Sequence, residues 1–173
     1  MRSFPRLKYE QTTTPITQLN SVRVLKLVLL MIFMLFFTTQ VFSEQHTAAF
    51  GKATVEIGNQ GYILSVEVAS TEKQRSIGLM YRDHLDLSKG MLFVFEYPAM
   101  QRVWMKNTLI PLDVLFVSAK GEIVSIHKGL QPCVKKSCEI YDSVGIAKYM
   151  LEVNAGVVEK QKLKVGMMVF LFL

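Results

Sequence analysis

Cysteine is scarce in this chain of 173 residues: there are two, Cys133 and Cys138, both inside the segment PCVKKSC. Their spacing is not the CxxC of thioredoxin-like redox centres, and two sulfurs alone do not make a metal site. Long charge runs are missing as well, since no basic stretch exceeds the pair Lys135-Lys136. The sequence holds no GxSxG, no HExxH, no glycine-rich phosphate loop and no internal repeat. These absences remove the grounds for naming a reaction. They do not exclude an enzyme.

A basic pI of about 9.3 first reads as a nucleic-acid signal. Residues 1–43, however, carry Arg2, Arg6, Lys8, Arg23 and Lys26 against Glu10, which is +4 of the formal +6. The remainder has 15 basic and 13 acidic residues, a net of +2, so no polyanion or nucleic-acid partner is expected. The same first segment reads as an export leader. Arg23 and Lys26 flank the apolar run LVLLMIFMLFF (27–37), and Val41-Phe42-Ser43 offers a peptidase site. Such a run spans roughly 17 Å of a hydrocarbon core about 30 Å thick. The expectation is a signal peptide over 1–43 and a periplasmic or secreted product. An uncleaved anchor over 22–42 is the alternative, and would be the sole membrane contact.

Behind it, residues 44–52 read as a linker and 53–173 as a single α+β domain. That domain is a compact mostly-β unit, a curled sheet or small barrel of six to eight short strands with one main helix. Ala53–Ile57 and Tyr62–Ala69 alternate like half-buried strands around the turn Gly58–Gly61. Thr71 with Gln74 three residues on forms a capping box, and Gly78 suits the helix end. Met91–Phe95, Val103–Met105, Leu112–Val117, Glu122–His127 and Tyr149–Val153 read as further strands, and Val157–Leu163 as a helical turn or two.

The segment WMKNTLIPLD (104–113) sets a cation, an amide, a hydroxyl and a carboxylate among apolar residues. A carboxylate there needs partners, because a dry core does not hold a bare charge. It is read either as a structural ion pair or set of turn-satisfying hydrogen bonds, or as a pocket in which Trp104, Lys106, Asn107, Thr108 and Asp113 meet a ligand. Arg75 and Arg82 flank the end of the helix. They form a solvated or carboxylate-paired surface, or an anion clamp. Cys133 and Cys138 in an exported protein default to a disulfide, worth about 2 kcal/mol in the chain-entropy model. A soft copper(I) set drawing on His127, Met100 and Met105 is the weaker alternative, and no cofactor or metal is expected.

Taken together, VASTEKQRSIGLM with Arg82, GMLFVFE, WMKNTLIPLD and PCxxxxC resemble the bacterial and archaeal family called domain of unknown function 192, from about Ala53 to Gly166. The resemblance implies a compact β-rich α+β domain, often exported, and brings no mechanism. Its characteristic residues fall here on Arg75, Gly78, Met80, Arg82, Trp104, Lys106, Asn107, Thr108, Pro111 and Asp113. The end departs from the pattern: Met167–Leu173 is wholly apolar, so the last strand is expected to be buried on both faces or to leave a sticky edge. The leading functional expectation is an exported binding or accessory module for a small polar or anionic ligand or an envelope protein. The alternatives are a hydrolase or lyase using Asp113 and Lys106, and a structural envelope protein.

Overall fold

The computed structural model describes residues 23–32, 49–58 and 61–172. The chain divides into two units, Met1–Thr47 and Ala48–Leu173. In the first, residues 23–32 form a helix (α1) whose side chains are all exposed. Among the described residues no helix is long and apolar enough to cross a membrane. The remainder of the apolar run and the expected cleavage site lie outside the described residues.

The second unit is built on one seven-stranded sheet. Its strands are β1 (Gly51–Ile57), β2 (Tyr62–Ala69), β3 (Lys89–Trp104), β4 (Leu112–Val117), β5 (Ile123–Leu130), β6 (Ile140–Asn154) and β7 (Val169–Phe172), in the order β5-β4-β6-β3-β2-β1-β7. Two short helices accompany them, α2 (Glu72–Ile77) and α3 (Val157–Lys160). β1 and β2 pair as the expected hairpin, though β1 begins at Gly51, inside what reads as linker. β2 and β3 are parallel, and α2 makes the crossover between them.

The sheet curls until its two ends meet. Ile123 N donates to Met167 O at 2.9 Å and Val169 N to Gly121 O at 2.7 Å, joining the start of β5 to the start of β7. Gly121 has φ +86°, and a Cβ there would stand 2.7 Å from Val169 O, so the closure needs glycine. Inside the curl, Val55, Ile57, Leu64, Val66, Leu92, Leu115, Leu151 and Val169 pack around Val157 and Val158 of α3. A second apolar layer lies on the opposite face, where Leu79, Met91, Phe93, Met105, Val114, Phe116 and Met150 meet. β4 is buried along its whole length because alternate residues serve the two layers.

Two strands differ from the sequence reading, and the last takes the sticky-edge alternative. Met91–Phe95 and Val103–Trp104 belong to one strand of 16 residues, bent where the register with β6 shifts between Val94 and Ala99. Pro98 lies in that stretch and cannot donate to a ladder. β6 starts nine residues before Tyr149, since its first half pairs only with the outer half of β3 and shows no clean alternation. β7 pairs with β1 and buries Val169, but leaves Phe170 and Phe172 exposed, so the sheet ends on an apolar edge.

Candidate functional site

Helix α2 is seated by its own cap. Thr71 Oγ1 accepts from Gln74 N at 3.2 Å, and Gln74 Oε1 accepts from Ser70 N and Thr71 N, each at 3.0 Å. Gln74 Nε2 donates to Ala49 O at 2.6 Å, which ties the helix to the chain entering β1. The helix ends at Gly78 with φ +49°, where a Cβ would stand 2.9 Å from Phe93 Cζ. Glycine therefore serves twice here, in turning the chain and in letting it lie on β3.

The segment after β3 is tied on both sides. Asn107 N donates to Cys133 O at 2.8 Å and Cys133 N to Met105 O at 3.2 Å. On the other side Tyr81 N donates to Asn107 O at 2.8 Å, and Asn107 Nδ2 donates to Tyr81 Oη at 2.7 Å. Asn107 takes φ +54°, a left-handed turn that Asn tolerates better than most residues. Cys133 and Cys138 form a disulfide that closes the loop braced against Lys106 and Asn107.

Between α2, β3, β6 and this segment lies a cavity of about 260 Å³. Phe93, Met150, Leu79 and Thr108 form its buried part, and Trp104, 46% exposed, stands at its rim. Three cations line it: Arg75, Lys106 and, at the rim beside Asp142, Arg102. Arg75 Nη1 donates to Ser70 O at 2.5 Å and to Val94 O at 3.0 Å, and its guanidinium lies 5.8 Å from the Phe95 ring centre. Both bonds use Nη1, so Nη2 and Nε have no hydrogen-bond partner among the described residues. Lys106 Nζ sits 5.0 Å from the Trp104 ring centre, a cation–π contact, with no carboxylate within ion-pair distance among the described residues.

Of the seven residues singled out from sequence, four line the cavity: Arg75, Trp104, Lys106 and Thr108. Asn107 does not; it holds the turn. Arg82 is paired with Glu67, its Nη2 donating to Oε2 at 2.8 Å, and its guanidinium packs 5.7 Å from the Phe50 ring centre. The guanidinium beside Glu67 also holds that carboxyl below its usual range. Arg82 thus takes the carboxylate-paired alternative.

Asp113 is corrected as a pocket residue. Strand alternation turns it toward α3, where Oδ2 accepts from Val158 N at 2.9 Å and Oδ1 from Gly129 N at 2.8 Å. It is 1% exposed and each of its oxygens accepts from a backbone N–H, so it fixes α3 and the end of β5. A base acting on a bound substrate needs access that this carboxylate lacks. The soft-metal set is not assembled either: the two cysteines bond each other, Met105 is core, and His127 Nε2 contacts Asp142 O at 2.9 Å.

One site residue escaped the sequence reading. Glu152 in the middle of β6 is 5% exposed, lines the cavity, and has no hydrogen-bond partner among the described residues. Burial pushes its carboxyl up to about 8, with nothing charged close enough to offset the effect. Its signal was the same as that of Asp113, a single carboxylate within an apolar strand, here YMLEVN.

Two solved structures share this fold. A candidate transcription regulator from Sinorhizobium meliloti 1021 is 35% identical, with a TM-score of 0.66 over 72% of this chain and 97% of its own. A protein of unknown function from Novosphingobium aromaticivorans DSM 12444 is 28% identical, with a TM-score of 0.66 over 72% of this chain and 88% of its own. No curated protein matches the chain. The family model DUF192, described as "Uncharacterized ACR", matches residues 53–171. The chain therefore belongs to the DUF192 family, whose activity is uncharacterised.

Proposed function

We propose that this protein is an exported binding module whose cavity takes a small organic anion with an apolar body. The observation that carries the reading is the pair Arg75 and Lys106. Both are cations without a carboxylate partner among the described residues, and both are set on one cavity with Phe93, Phe95 and Trp104 as its walls. A guanidinium with unused donors and an ammonium over an aromatic face suit a carboxylate or phosphate. The volume lies just below the small-molecule range of roughly 300–1,000 Å³, so the ligand is compact.

Export rests on the leader pattern of residues 23–37 and is compatible with the disulfide. The transcription-regulator description of the Sinorhizobium protein finds no electrostatic support here, because the charge outside the leader is nearly balanced. Thermal unfolding of the full chain with 4-ethylbenzoate at pH 7 tests the reading. A ligand-dependent rise in Tm that disappears in Arg75→Met with Lys106→Met supports it. No rise, or an equal rise in the folded double variant, refutes it.

A further inference from the structure

Glu152 is the one group in the cavity that the anion reading leaves unused. It projects from β6 between Met91 of β3 and Val114 of β4, its register partners, and both are fully buried apolar residues. The charged groups that share its cavity are Glu72 and Arg75 from α2, Arg102 from β3 and Lys106 from the following loop. Arg102 is exposed and its nearest carboxylate is Asp142 at 3.8 Å, so it belongs to the rim. The site is thus polarised, with cations toward solvent and a lone carboxyl toward the apolar layer.

Among the described residues no fully occluded side-chain oxygen lacks a partner, so the Glu152 oxygens open onto the cavity; in this apolar wall it is costly to ionise the carboxyl and costly to leave its hydroxyl without an acceptor. A ligand that brings an acceptor relieves the second cost without incurring the first. A ligand bringing an ammonium would need Glu152 ionised and would have to pass three rim cations against one rim carboxylate.

We infer that Glu152 recognises the inner end of the ligand as an uncharged hydrogen-bond donor. The site would then take an organic anion that carries an acceptor such as a carbonyl at the end opposite its charge. This inference rests on the anion reading of the cavity. No bond is made or broken: the carboxyl O–H donates to the ligand oxygen and keeps its proton. Binding is therefore coupled to that proton, and affinity falls as pH rises past the Glu152 carboxyl at about 8, by roughly tenfold from pH 7 to pH 9 for a single group.

The experiment is calorimetric titration of the full chain at several pH values with 4-acetylbenzoate, 4-ethylbenzoate and 4-(aminomethyl)benzoate. The expected result at pH 7 is that the acetyl compound binds about tenfold more tightly than the ethyl one, which lacks the carbonyl. This advantage should vanish by pH 9.5 in the native protein. In Glu152→Gln, whose amide still donates, the advantage should persist at both pH values. Equal affinity of the acetyl and ethyl compounds, or a preference for the amine, overturns the inference and leaves the anion site standing. An acetyl advantage unchanged between pH 7 and pH 9.5 in the native protein also overturns it. No binding of any of the three removes the anion site itself.

Discussion

The Asp113 carboxylate accepts from two backbone N–H groups, whereas the Glu152 carboxyl faces the cavity and accepts a hydrogen bond from no protein group among the described residues. Both are buried in apolar strands. Asp113→Ala leaves the Gly129 and Val158 amides without their acceptor, and we expect a loss of about 2–4 kcal/mol in chemical denaturation. Asp113→Asn should lose less, because one oxygen remains. Glu152 acts in the opposite direction. Unfolded, its carboxyl loses the proton near 4.5; folded, it keeps it to about 8. Between those values the unfolded state binds fewer protons, so stability falls as pH rises. Glu152→Gln is therefore expected to be nearly neutral at pH 4.5 and stabilising at pH 8.5, by on the order of a few kcal/mol. Denaturant midpoints at the two pH values check this. A carboxylate within an apolar strand is visible in sequence, but whether backbone donors surround it is not, because Gly129 and Val158 are distant in the chain. For the same reason Arg75 and Arg82 read alike in sequence, and only the fold gives Arg82 to Glu67.

Elements whose signals are local were legible: the hairpin β1–β2, the Thr71–Gln74 cap and the glycine that ends α2. Gly78 also lines the cavity, beside Phe93. Gly78→Ala would strain a positive φ and push against Phe93, and we expect a loss of about 1–3 kcal/mol together with weaker binding of 4-ethylbenzoate. Thermal unfolding with and without that compound separates the two effects. The joined β3 and the long β6 were not legible, because the outer ribbon pairs only with itself and needs no alternation. The Cys133–Cys138 bridge was legible as chemistry. Its role in bracing the Lys106 turn came only from the hydrogen bonds between Asn107 and Cys133. Reduction of the bridge should cost about 2 kcal/mol and weaken anion binding, leaving the sheet circular dichroism unchanged at 25 °C.

At the scale of the molecule, one curled sheet carries two apolar layers: the inner one, plugged by α3, makes the fold, and the outer one is interrupted by the cavity. The curl closes through the segment before β7, which leaves Phe170 and Phe172 on an exposed edge. Strand alternation and turn residues anticipated the β-rich class, and the near-balanced charge of residues 44–173 follows from composition alone. A pocket at the WMKNTLIPLD segment was expected from sequence, but the membership of this cavity was not, because its polar groups come from α2, β3, β6 and a loop that only the fold brings together. The most direct measurement is the dissociation constant of 4-ethylbenzoate at pH 7 for the native chain and for Arg75→Met with Lys106→Met. The anion site requires measurable binding that the double substitution weakens at least tenfold while the protein stays folded. Unchanged affinity in the folded double variant would contradict it.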